Sequence, residues 1–125
     1  MILIIGGAYQ GKLEYAKKTY GIAESDVSNA YVNGRADFSK RCIYHFEKYL
    51  EALFKDDPGS FYEKAGAAAF RDDAVIIADD IFCGLVPMDK NDRAFREHCG
   101  RALTALAGRC DSVVRVFCGL GKRLK

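Results

Sequence analysis

Seven residues near the start of this chain are the first whose types and spacing could do chemistry. They are Gly6-Gly7-Ala8-Tyr9-Gln10-Gly11-Lys12. The spacing is G-x-x-x-x-G-K, that of a phosphate-binding loop. Glycines at 6, 7 and 11 let the main chain curl so that its N–H groups turn inward toward phosphate oxygens. Lys12 adds an ammonium for the outer phosphates. In such loops the next residue is Ser or Thr, whose hydroxyl binds Mg²⁺. Here it is Leu13, which has no oxygen to offer. The same glycines can also serve a tight strand-to-helix turn with no ligand.

A second candidate is Asp79-Asp80, which ends the apolar run Ala74-Val75-Ile76-Ile77-Ala78. Carboxylates at the end of a buried strand hold Mg²⁺, directly or through water, in phosphoryl-transfer sites. Their other reading is a helix cap or a solvated turn. The chain has two histidines, His45 and His98. Its five cysteines (Cys42, Cys83, Cys99, Cys110 and Cys118) include no C-x-x-C pair, so they are expected to be buried small apolar groups rather than zinc ligands.

These residues need elements to place them. The strand Ile2–Ile5 runs into the glycine loop, and a helix follows over about 11–20, stopped by Gly21. A short extended piece is expected at Ala30-Tyr31-Val32, closed by Asn33-Gly34. A long helix is expected over Phe38–Lys55, since Cys42, Ile43, Phe46, Leu50, Leu53 and Phe54 recur at three- and four-residue spacing. Asp56-Asp57-Pro58-Gly59 stops it. Ser60 with Glu63 reads as a capping box for a helix over Phe61–Phe70. After the strand at 74–78 come a helix over Asp89–Gly108 and a strand over Ser112–Cys118. Strands alternating with helices predict an α/β three-layer sandwich with a mostly parallel sheet, spanning residues 1–125 as one domain. The strand ends then place the glycine loop and Asp79-Asp80 on one edge.

Composition narrows the partners. Half of the 125 residues are hydrophobic, 29% are charged, and the net charge is +2. That balance does not suit a nucleic-acid or membrane surface. No apolar run is long enough to span a bilayer, and the apolar start lacks a basic lead-in, so a cytoplasmic location is expected.

The segment Val75-Ile76-Ile77-Ala78-Asp79-Asp80-Ile81-Phe82-Cys83-Gly84-Leu85-Val86-Pro87 resembles the V-x-V-S/T-N-E-V-G-x-G-I-V-P signature of the adenosylcobinamide kinase/adenosylcobinamide-phosphate guanylyltransferase family of cobalamin biosynthesis. The likeness continues through Arg93-Ala94-Phe95-Arg96-Glu97, Gly100-Arg101 and Ala107, then Cys110-Asp111-Ser112-Val113. It ends on Gly119-Leu120 and Arg123-Leu124-Lys125, similar to the family's G-L-P-x-x-L/I-K ending. The glycine loop is similar to G-G-A-R-S-G-K-S, Tyr31-Val32 to the family's Y-I-A-T strand, and Arg41–His45 to R-I-x-x-H.

The resemblance implies a P-loop NTPase-like sandwich that phosphorylates the aminopropanol hydroxyl of cobinamide with ATP or GTP. It also implies passage of GMP through a covalent histidine, and a homotrimer. Carried onto this chain, Gly6, Gly7, Ala8, Gln10, Gly11, Lys12 and Leu13 line the nucleotide. Lys12, His45 and Asp80 are the catalytic candidates, and Asp79 and Asp80 those for Mg²⁺. Asp80 stands at the family's glutamate, Asp79 at its asparagine and Phe82 at a glycine. The family's D-C-L-T-x-W-x-x-N segment has no counterpart, so fewer strands are expected. Three functions follow: a reduced kinase with or without GMP transfer, a non-catalytic nucleotide-binding or regulatory module, and a fold whose glycine turn is purely structural.

Overall fold

The computed structural model describes residues 1–80 and 89–125. Strand β1 (Ile2–Gly6) leads through the glycine loop into helix α1 (Lys12–Tyr20). A short 3-10 turn, Glu24–Asp26, precedes β2 (Val27–Asn29). Next come β3 (Cys42–Tyr44) and α2 (Phe46–Asp56). After a 3-10 turn at Pro58–Ser60 follow α3 (Phe61–Gly66), β4 (Val75–Asp79), α4 (Lys90–Arg109), β5 (Ser112–Phe117) and β6 (Leu120–Arg123).

The strands form one sheet in the order β2-β3-β4-β1-β5-β6. The first five are parallel, and β6 closes one edge antiparallel to β5. Alternation along the strands builds two cores. Leu3, Ile43, Ile76, Ala78 and Val113 face α2, α3 and α4, where they meet Phe46, Leu50, Phe61, Cys99, Leu103 and Leu106. Ile4, Cys42, Val75, Ile77, Val114 and Val116 face the other way and pack with Ala16 of α1 and Ile22. The result is the expected three-layer α/β sandwich. Both faces of the central strands are covered, which explains why β4 is apolar at nearly every position.

The middle of the chain departs from expectation. In the predicted long helix, residues 38–41 form a turn and Cys42–Tyr44 form strand β3, and the helix begins only at Phe46. Cys42 and Ile43 are buried on opposite faces of the sheet. The middle therefore supplies two strands, despite lacking the family segment. The extended piece forms at Val27–Asn29, and Tyr31-Val32 lie beyond it in a turn, both exposed. Asn29 makes that turn by accepting from the Tyr31 amide at 3.0 Å. The third helix stops at Gly66. Its expected capping box does not form, because the Ser60 hydroxyl donates to Asp57 instead. Strand β6 has no apolar pattern, and nothing in the sequence points to it. Its two-residue turn, Cys118-Gly119, has positive φ at both positions, the requirement of a tight hairpin.

Cys42, Cys99 and Cys110 are buried as expected, whereas Cys118 is exposed on that turn. Burial pushes the Cys42 and Cys99 thiols up to about 12. Phe82, Cys83 and the remainder of the signature to Pro87 lie outside the described residues. Among the described residues, no helix is long and apolar enough to cross a membrane.

Candidate functional site

The carboxyl ends of β1, β2, β3 and β4 share one edge of the sheet. A cleft of about 810 Å³ opens there, lined by the loop from Ala8 to Glu14 together with Asn29, Tyr31, Tyr44, His45, Lys48 and Asp79. Open parallel sheets bind ligands at this kind of edge.

The loop is held by close packing. A Cβ on Gly6 would stand 2.4 Å from the Val116 carbonyl oxygen, so β1 can approach β5 here only without a side chain. Gly11 (φ 81°) turns the chain into α1, and its carbonyl takes the first helical bond from Tyr15. Gln10 fastens the loop to the β5–β6 turn. Its side-chain oxygen accepts from the Cys118 amide at 2.7 Å, and its carbonyl accepts from the Gly119 amide at 2.8 Å. Tyr9 points fully into solvent, while Leu13 packs against the core on the α1 face; neither fills the loop.

Lys12 is only 4% exposed. Its Nζ donates to the Gly7 carbonyl at 2.6 Å and pairs with Asp79 Oδ1 at 2.6 Å. The ammonium thus sits inside the loop beside the end of β4. Alternation separates the two aspartates at this edge. Asp79 faces the cleft. Asp80, whose amide donates to the Gly6 carbonyl at 2.7 Å, instead lines a second cavity of about 580 Å³ under α4, with Arg96, Glu97 and Thr104. Asp79 borders both. Both carboxylates thus line the cavity under α4, and only Asp79 also lines the cleft of the glycine loop.

His45 joins the cleft because β3 exists. It follows the last residue of that strand, adopts φ 60°, and its carbonyl takes the first bond of α2 from the Lys48 amide. Histidine is among the few residues with a side chain that visit this region readily. The Tyr44 and Tyr31 rings pack on it, with centroids 3.9 and 4.9 Å away. Its Nδ1 lies 3.0 Å from Glu47 Oε1 and 3.9 Å from Asp79 Oδ2. Glu47, 2% exposed, also accepts from the Asp79 amide through Oε2 at 3.0 Å. Burial, reinforced by the Asp79 and Glu47 carboxylates, pushes the Tyr44 hydroxyl above its ordinary value.

Lys12, Asp79, Glu47 and His45 therefore form one connected polar group. The ligand atoms of His45, Glu47 and Asp79 lie within 4.8 Å of one another. They are already engaged, however, by Lys12, by the Asp79 amide and by each other. His98 stands apart on α4, bonded to Tyr62 and packed at a tilt against Phe54. The sequence does not single out Tyr44 and Lys48, which line the cleft, or Glu47, which is buried against His45 and Asp79. Its one available signal for Glu47 was an acid two residues after His45, which becomes meaningful only once the helix is known to begin at Phe46.

A mostly parallel sheet with helices on both faces and a glycine loop after its central strand defines a protein with a P-loop NTPase-like fold. Comparison with known families makes this more specific. The chain belongs to the cobinamide kinase / cobinamide phosphate guanyltransferase family, which matches residues 59–124, just over half of the 125. Among curated proteins, none matches the chain.

Proposed function

We propose that this protein binds ATP or GTP in the cleft and carries out the family's two transfers: phosphorylation of the cobinamide hydroxyl, and guanylylation of the resulting phosphate through His45. The observation that supports this reading most is the meeting of Lys12 and His45 across Asp79, one the cation of a phosphate loop and the other a nucleophile beside it. The terminal phosphates fit the loop amides and Lys12 Nζ, which would exchange its bonds to Gly7 and Asp79 for phosphate oxygens. Positioned donors of this kind lower the charge cost of phosphoryl transfer. Tyr31, packed at a tilt against His45 and under the Lys48 ammonium at 5.6 Å, gives the cleft an aromatic wall at the cobinamide or base end.

In the second transfer, His45 Nε2 attacks the α-phosphorus of GTP. An N–P bond forms, the bond to the bridging oxygen breaks, and pyrophosphate leaves. An oxygen of cobinamide phosphate then attacks the same phosphorus, and the N–P electron pair returns to Nε2.

The donor chemistry of the cleft suits Mg²⁺ in a restricted way. Mg²⁺ ordinarily takes one or two carboxylates and completes its shell with water and substrate phosphates. Asp79 is the residue that would hold it; Leu13 has no oxygen, and Asp80 lines the other cavity. The ion would neutralise phosphate charge.

Labelling tests the reading. Protein incubated with GTP carrying label on the α-phosphate should retain acid-labile, alkali-stable label, whereas γ-label should not be retained. His45→Asn, chosen because Asn tolerates φ near 60°, should abolish retention while remaining folded. Leu13 specifically favours the second reading, a nucleotide-binding module without transfer. That module would bind GTP in calorimetry and take no label, a result that would falsify the transferase reading.

A further inference from the structure

We infer that Glu47 is the positioning residue for His45: it fixes the imidazole as the Nδ1–H tautomer and leaves Nε2 with the free lone pair. The consequence for transfer rests on His45 being the guanylyl acceptor; the tautomer itself does not.

Glutamate in the first turn of a helix usually sits in solvent, where it complements the helix N-terminus. Glu47 is instead almost wholly buried. A buried carboxylate is tolerable when its oxygens are hydrogen-bonded, and here each oxygen has a donor. Oε2 accepts from the Asp79 amide at 3.0 Å, and Oε1 meets His45 Nδ1 at 3.0 Å. A carboxylate only accepts, so the proton of this second bond must be on Nδ1. Asp79 Oδ2, at 3.9 Å, is too far to take that role. The Tyr44 and Tyr31 rings restrain the imidazole plane, and Glu47 decides which nitrogen carries hydrogen.

This arrangement follows the general logic of a histidine oriented by a buried carboxylate. When Nε2 forms its bond to phosphorus, the ring keeps its Nδ1 proton and gains positive charge, which the adjacent carboxylate stabilises. The Asp79 amide anchors Glu47 to the residue that also pairs with Lys12, so the lysine and the histidine are registered by one residue of β4.

Glu47→Gln separates charge from shape. The Asp79 amide still requires an acceptor, so the amide oxygen stays there and the NH₂ faces His45 Nδ1. That NH₂ can only donate, which drives the proton to Nε2 and removes its lone pair. Two-bond ¹H–¹⁵N spectra of the full chain, labelled at histidine and recorded in mildly alkaline buffer, read this directly. There are only two histidines, so the His45 signals are those absent from His45→Asn.

The wild type should show Nδ1–H and Glu47→Gln should show Nε2–H. Covalent labelling by α-labelled GTP should fall on the order of 10²–10⁴-fold in the variant. An Nε2–H tautomer in the wild type overturns the inference, as does a folded Glu47→Gln with an unchanged tautomer. If the variant does not fold, the wild-type tautomer decides alone. If the tautomer switches as expected but wild-type protein takes no label, the positioning role stands and the acceptor role of His45 fails.

Discussion

The half of the chain from Gly59 onward carries the family's pattern, yet most side chains that meet in the cleft come from the half before it. Lys12, Tyr31, Tyr44, His45 and Lys48 of the cleft, and the buried Glu47 against His45, all precede Gly59, and Asp79 alone among the central polar group follows it. The later half builds the frame: β4 and β5 flank β1 on either side, and α4 covers one face. Two of the joints between the halves matter for the site. Asp79 holds Lys12 and Glu47, and the β5–β6 turn holds Gln10. Frame and chemistry are thus separate in sequence but continuous in space. A change in either half should be readable by whether it strikes stability or ligand binding.

The sharpest break in that comparison is Gly6→Ala. The new methyl would sit 2.4 Å from a β5 carbonyl oxygen, and main chain inside a sheet cannot step aside. A loss of about 3 kcal/mol or more is expected in urea unfolding. Gly7→Ala is the control, since its Cβ would meet nothing nearer than 3.6 Å. Its stability should stay within about 1 kcal/mol of wild type. Equal losses at the two positions would mean that the loop is not seated against β5.

Next in size is Lys12→Ala, read by calorimetric titration with ATP and GTP. Charge-assisted contacts of this kind are worth about 1.5–3 kcal/mol, so affinity should fall about 10- to 150-fold. The variant also leaves Asp79 without its ammonium, so a urea curve is needed beside the titration. Unchanged affinity in a folded variant would place the nucleotide outside the glycine loop.

The same division explains what could be read from the sequence. Strands β1, β4 and β5 are runs of apolar residues bounded by clear stops, and α4 is long with a regular stripe. Such elements announce themselves. Strand β3 is three residues long and runs into a helix after one residue. Ile43 and Phe46 face the same core at helical spacing, so the helix pattern absorbs the strand. Strand β2 is equally short, and β6 is exposed throughout, with no alternation to detect. The site suffered accordingly. The glycine loop was visible because its spacing is local. The link from His45 to Lys12 was not, because it depends on β3 pairing with β4, and that contact spans more than thirty residues.

The smallest effect is expected at the joint between the halves. Asp57 lies just before the 3-10 turn at Pro58–Ser60, where it accepts from the Gly59 amide at 3.1 Å and from the Ser60 hydroxyl at 2.8 Å. The Ser60 hydroxyl bond above all, opposed by slight desolvation and helped by the Gly59 amide, holds its carboxyl below the ordinary 3.8. The ionised form is therefore favoured in the fold. Its contribution is fully present above pH 3.8 and is lost as the pH falls through the lowered value. Because the group is solvent-exposed, the change in melting temperature should be small. Asp57→Asn keeps an acceptor for the Gly59 amide but cannot ionise. It should melt close to wild type near neutrality and show a flatter fall below about pH 4. An acid limb as steep as that of wild type would assign the pH dependence to other carboxylates and leave this turn as a passive hinge between the two halves.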